Sequence, residues 1–119
     1  MITRFPGLTS TRSRAVATDD LVFTVAVAPD PVPRSVYEHA VKVLARIDES
    51  LALCGTDKSS VLTATIYLAD ITQKAEFNRA WDERVDPTNP PMRACIGVAI
   101  EPPHVVEVVI TAVKQRRST

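Results

Sequence analysis

Two runs of the chain are apolar except for one full charge apiece. Pro90-Pro91-Met92-Arg93-Ala94-Cys95-Ile96-Gly97-Val98-Ala99 carries Arg93, and Val105-Val106-Glu107-Val108-Val109 carries Glu107. Read as strands, both place a charge where it costs free energy unless it is paired, hydrogen-bonded or turned toward a cavity. A guanidinium holds a carboxylate through two parallel hydrogen bonds, and a carboxylate takes a proton from water. Together they suit a small, polar, anionic ligand. A structural reading competes: Arg93 opens its strand and reaches solvent, and Glu107 pairs with Arg93 or a lysine on a sheet edge, since ion-pair networks also place charges in strands.

The remaining reactive side chains form no recognisable constellation. Cys54 and Cys95 fit no metal-ligand spacing and no disulfide framework. Cys54 closes a helical pattern, where a small buried apolar residue is the default. His39 and His104 stand far apart without a ligand pattern around them, and His39 reads as a solvated surface residue. The 119 residues balance 14 basic against 14 acidic side chains, unlike a dedicated nucleic-acid module with its basic excess. The short basic clusters, Arg4-Arg12-Arg14 and Lys114-Arg116-Arg117, read as solvating the two ends. Neither end reads as a signal peptide, and no apolar run approaches the ~18 residues of a spanning helix. The expectation is one soluble, cytoplasmic domain over residues 1–119, with no membrane partner.

The elements that position Arg93 and Glu107 are punctuated clearly. After an irregular start, Ala15–Ala17 and Leu21–Val27 flank the turn-like Thr18-Asp19-Asp20 and read as a hairpin. Pro29-Asp30-Pro31-Val32-Pro33 then stops the sheet, because proline lacks the amide a ladder needs. Ser35-Val36-Tyr37-Glu38 matches a capping box. Tyr37, Ala40, Val41, Leu44, Ile47 and Leu51 form the apolar stripe of the helix it opens, and Gly55 ends it. Val61–Leu68 alternates, with Leu62, Ala64, Ile66 and Leu68 on one face of a strand. Thr72 reads as the cap of a second helix striped by Phe77, Ala80, Trp81 and Val85, which Asp86-Pro87-Thr88-Asn89-Pro90-Pro91 terminates. Strands Met92–Ile100 and Val105–Val113 follow. The order β-β-α-β-α-β-β predicts an α+β mixed sheet with two helices on one face. The other face, rich in Val, Thr and Ala, has no third helix to cover it, which predicts a homo-oligomer packing sheet against sheet with any strand-end site between subunits.

From about Ser13 to Lys114 the chain resembles the RidA (YjgF) family of enamine/imine deaminases. Asp19-Asp20-Leu21-Val22-Phe23 looks like the family's early strand, and Ala45-Arg46-Ile47-Asp48 through Cys54-Gly55 like its long helix. Ser60 to Asp70 is similar to its "V-x-x-x-T-V-Y-L-x-D" strand, and Phe77-Asn78-Arg79-Ala80-Trp81 loosely to its "F-x-x-V-N-x-x-Y" helix. Pro91-Met92-Arg93-Ala94-Cys95 resembles "P-A-R-[ST]-x-[VI]", and Val106-Glu107-Val108 resembles "V-E-I". Their order and spacing carry the likeness, and the wording of Ala64–Asp70 and Ala80-Trp81-Asp82 is similar to the YoaB-like branch.

The resemblance implies a chorismate-mutase-like fold and a barrel-shaped homotrimer with three clefts between subunits. It implies hydrolysis of reactive 2-enamine or 2-imino acids to 2-oxo acids and ammonia, with no metal or organic cofactor. Arg93 would bind the substrate carboxylate and Glu107 would activate the water, while Cys95, partly through its backbone, and Asn78 would line the cleft. Two departures stand out. Arg12 occupies the place of a site aromatic, and Val25-Ala26-Val27 replaces a Ser-Gly-Gln. If Arg12 faces the cleft it favours a larger or dianionic ligand; otherwise it is a solvated terminal arginine. These changes keep an alternative open: a trimer that binds a small carboxylate metabolite without catalysis or with altered specificity. RNA cleavage, linked to some relatives, fits poorly with a neutral chain that lacks an aromatic-plus-basic surface.

Overall fold

A computed structural model describes residues 1–115. The predicted element order is found, preceded by one further strand: β1 Thr3–Pro6, β2 Ser13–Ala17, β3 Leu21–Ala26, α1 Val36–Leu53, β4 Val61–Leu68, α2 Lys74–Arg84, β5 Met92–Gly97 and β6 Val106–Val113. The six strands form one sheet in the order β1-β2-β3-β6-β4-β5. All pairings are antiparallel except β4 with β5, which run parallel. A parallel pair needs a crossover, and α2 provides it.

The β2–β3 hairpin turns on Thr18, whose hydroxyl accepts from the amides of Asp20 and Leu21 while its own amide donates to the Leu21 carbonyl. Residues 3–6, expected to be irregular, pair along the free edge of β2. A short edge strand is decided by its partner more than by its own pattern. One residue of β1 there faces two of β2, so Arg14 becomes the extra residue of a bulge.

Helix α1 begins where Ser35 Oγ accepts from the Glu38 amide. It ends in a Schellman turn: Gly55, at φ 75°, and Thr56 donate back to the Ala52 and Leu51 carbonyls. Thr56 Oγ1 then donates to the Val113 carbonyl at 2.7 Å, tying the helix end to β6. The buried stripe is His39, Ala40, Val43, Leu44, Ile47, Ser50 and Leu51. It is rotated from expectation, leaving Val41 exposed and His39 fully buried, so the reading of His39 as a solvated surface residue is corrected. Thr72 is not a helix cap. Asp70 caps a short 3₁₀ turn, Ile71–Gln73, accepting from the Thr72 amide and hydroxyl, and α2 follows without a side-chain cap.

Both helices pack on one face of the sheet, over a core that includes Val22, Leu51, Ile66, Leu68, Phe77 and Val108. A register shift between Val61 and Thr63 turns Leu62 out to solvent, against the simple alternation read from sequence. The opposite face presents Phe23, Val25, Val109 and Ile96, each exposed by about two-fifths of its surface. Among the described residues no helix is long and apolar enough to cross a membrane.

Candidate functional site

Strand register decides which way each candidate points. On β4 the buried residues Ala64, Ile66 and Leu68 mark the helix-covered face. Arg93 pairs with Ala64 and Cys95 with Ile66, so both lie on that face. Glu107 pairs with Tyr67, on the open face. Arg93 and Glu107 therefore stand on opposite sides of the sheet. They are two strands and three residues of register apart, roughly 10 Å across and roughly 10 Å along. An ion pair between them within one chain, one branch of the structural reading, is excluded.

Arg93 sits on β5, the last strand of the sheet, whose outer-edge backbone groups meet no other described strand. Its guanidinium carbon lies 5.3 Å from the Trp81 ring centre and 5.8 Å from that of Phe77, within cation–π range. The two rings project from α2 at a spacing of one helical turn, and Phe77 is wholly buried. They hold the guanidinium through their π faces, and it makes no ion pair or hydrogen bond among the described residues. Cys95 is half-buried against the core beside them. Asn78, also half-buried, lies on α2 with its Oδ1 sealed from solvent and without a hydrogen-bond partner. Arg93 and Cys95 thus share one face of β5, the face that α2, which carries Asn78, covers.

Glu107 belongs to another neighbourhood. It lines a concavity of about 470 Å³ at the end of β3, together with Gly7, Arg12, Arg14, Val25, Ala26, Val27, Asp30, Arg46 and His104. Arg12 thus faces the same space as Glu107, and the Val25-Ala26-Val27 segment forms its wall. Glu107 has no ion-pair partner among the described residues. Arg14, redirected by the bulge, donates from Nε to Ser50 Oγ at 2.7 Å and from a terminal nitrogen to Glu49, which also accepts from Arg46. A second cavity, about 40 Å³ between α1, α2 and β4, is lined chiefly by apolar side chains and has little more than water-sized room.

The histidines were missed as a pair. Their rings meet edge to face with centroids 6.0 Å apart, and His104 reaches the concavity. His39 Nε2 accepts from the Val105 amide at 3.5 Å. Burial holds the proton affinity of His39 below its ordinary value; the nearby Pro33 carbonyl partly opposes this and the charge of His104 adds to it. The available signal was positional: His39 lies four residues before Val43 and eight before Ile47, on the stripe that is buried. Among the described residues no cluster of His, Cys, Asp or Glu has the makings of a metal site.

Fold and geometry define a small α+β protein in which, among the described residues, a guanidinium at one sheet edge and a carboxylate in a concavity at the end of β3 make no ion pair. Residues 6–114 match the family model described as Endoribonuclease L-PSP. A RutC family protein of Haemophilus ducreyi is 40% identical over 113 residues, covering 94% of this chain and 96% of its own. The RutC family protein YoaB of Escherichia coli K12 is 36% identical over 85 residues, 71% of this chain and 75% of its own. The crystal structure of a YjgF-family member from Neisseria meningitidis superposes with a TM-score of 0.90 at 39% identity, covering 98% of both chains. The chain belongs to the RidA/YjgF family.

Proposed function

We propose that this protein hydrolyses 2-imino acids and their enamine tautomers to 2-oxo acids and ammonia, in clefts between the subunits of a homotrimer. The observation that carries this reading is the separation of two oppositely charged groups without ion-pair partners among the described residues, Arg93 on the helix-covered face of edge strand β5 and Glu107 on the open face of β6. One small substrate cannot touch both within a single chain. The apolar open face gives a second copy something to bury, and a neighbour whose free β5 edge docks beside that face would set its Arg93 against Glu107.

In that cleft Arg93 takes the α-carboxylate in two parallel hydrogen bonds and fixes the imine carbon in place. The outer-edge amides of β5 near Cys95 are available to polar atoms of the substrate. Glu107 accepts a proton from water as the water oxygen bonds to the imine carbon, and it passes that proton to the nitrogen, to which the C=N π electrons move. The resulting carbinolamine loses ammonia as its C–N bond breaks and its hydroxyl becomes the ketone. Water enters, ammonia leaves, and no electrons change hands.

The test generates 2-iminopropanoate in situ with an amino-acid oxidase and traps it with semicarbazide. Wild-type protein should suppress semicarbazone formation, and Arg93→Ala and Glu107→Gln should not. Turnover that survives Arg93→Ala would sink the assignment. A second reading, binding of a small carboxylate without hydrolysis, is favoured by Val25-Ala26-Val27, a wall with no side-chain hydrogen-bonding group beside Glu107. It predicts saturable, Arg93-dependent binding of 2-oxo acids with no imine turnover.

A further inference from the structure

The geometry points to a second anion subsite at Arg12, so that the preferred substrate is a dianionic 2-imino acid carrying a side-chain carboxylate besides the one held by Arg93. This rests on the hydrolase reading above and names the substrate class of the same site.

Three observations carry it. Arg12 lines the concavity that holds Glu107, so it faces the space next to the reacting carbon. Its place is set by backbone. The Gly7 amide donates to the Arg12 carbonyl at 3.1 Å, the Arg12 amide donates to Thr9, and a Cβ on residue 7 would fall 2.7 Å from the Arg12 oxygen. The turn therefore closes tightly only with glycine at 7, and it presents residue 12 at the cavity rim.

The third observation is charge. Arg14 is committed to Ser50 and Glu49, and Arg46 to Glu49. Among the described residues lining the cavity, Arg12 is the guanidinium without a polar side-chain partner. Asp30 and Glu107 share the lining, yet neither forms an ion pair with it. The adjoining wall of Val25, Ala26 and Val27 offers no side-chain hydrogen bond, and of the guanidinium groups in the lining Arg12 is the one left to take an anionic substrate tail. The volume of about 470 Å³ lies within the usual range for small-molecule sites and exceeds what a three-carbon imino acid fills.

The experiment compares 2-iminosuccinate and 2-iminoglutarate with 2-iminopropanoate, each made in situ by oxidation of the parent amino acid, on wild-type protein and Arg12→Ala. Wild type should favour a dianionic substrate by about tenfold or more in kcat/KM, and Arg12→Ala should cut that preference ratio by about tenfold, the scale of a charge-assisted bond. A wild-type preference for 2-iminopropanoate, or a ratio unmoved by Arg12→Ala, would overturn the subsite. Should wild type hydrolyse none of the three, the hydrolase reading fails by itself, and calorimetry with 2-oxoglutarate against pyruvate decides the subsite. Arg12-dependent preference for the dicarboxylate upholds it, and equal binding rejects it.

Discussion

His39 and His104, 65 residues apart in sequence, meet edge to face with ring centroids 6.0 Å apart where α1 passes the loop before β6. The buried His39 ring takes the Val105 amide on Nε2, which requires a lone pair there. A proton on that nitrogen would leave the amide facing a positive charge in a site closed to water. The segment that leads into Glu107 is thus held by a neutral imidazole.

Stability should accordingly depend on pH in a definite sense. The folded proton affinity of His39 lies below the unfolded value of 6.5, chiefly because of burial. Its contribution is complete above that value and is lost as pH falls from 6.5 through the folded-state value, where the unfolded chain binds the extra proton. Denaturant midpoints measured from pH 7.5 to 5 should fall toward acid, and His39→Asn should flatten that slope. An equally steep acid slope in the variant would exclude His39 as its source.

His39 also shows where sequence reading stops. The punctuation of α1 was legible because the Ser35 hydroxyl and Gly55 act on the nearest backbone groups. The order of elements was legible because the apolar periods differ. Hydropathy, however, scores His39 and Ser50 as solvent-facing and Val41 as core, so the expected stripe shares Ala40, Leu44, Ile47 and Leu51 with the buried one but misses His39, Val43 and Ser50. Bulges are invisible to a period-two pattern, and two of them turn Leu62 outward and Arg14 inward. Arg93 and Glu107 stood out as charges in apolar runs, but whether they share a face depends on register across three strands, which neither run encodes.

The Arg14–Ser50 bond joins the bulge to the last turn of α1, with Ser50 fully buried. Ser50→Ala removes the acceptor and leaves a nearly enclosed Arg14 Nε–H unsatisfied. Such a loss costs about 1–3 kcal/mol. Urea unfolding should show a reduced midpoint with an unchanged slope. Adding Arg14→Leu should recover part of the loss, since it removes the stranded donor, and a double variant weaker by the full sum of the two changes would contradict this account.

Trp81 bears on the site through Arg93, whose guanidinium carbon lies 5.3 Å from its ring centre. Trp81→Leu keeps an apolar contact and removes the π face, which contributes about 0.5–1 kcal/mol at a partly exposed site. In the proposed reaction this should appear as a KM raised about 2–5-fold, with kcat little changed. A fall in kcat at constant KM would instead place Trp81 near the reacting atoms.

The opposite facing of Arg93 and Glu107 gives a test of subunit sharing that needs no structure of the assembly. In the proposed trimer each cleft takes Arg93 from one chain and Glu107 from its neighbour. Arg93→Ala and Glu107→Gln proteins, each inactive alone, should therefore complement when unfolded together and refolded as a mixture. With random assembly from equal amounts, each cleft has about one chance in four of drawing an intact arginine and an intact glutamate. Activity should recover to about a quarter of the wild-type level, and dilution of either variant should lower it in proportion to the product of the two fractions. If both residues served one site within a single chain, no mixture would regain activity, because every chain would carry a broken site.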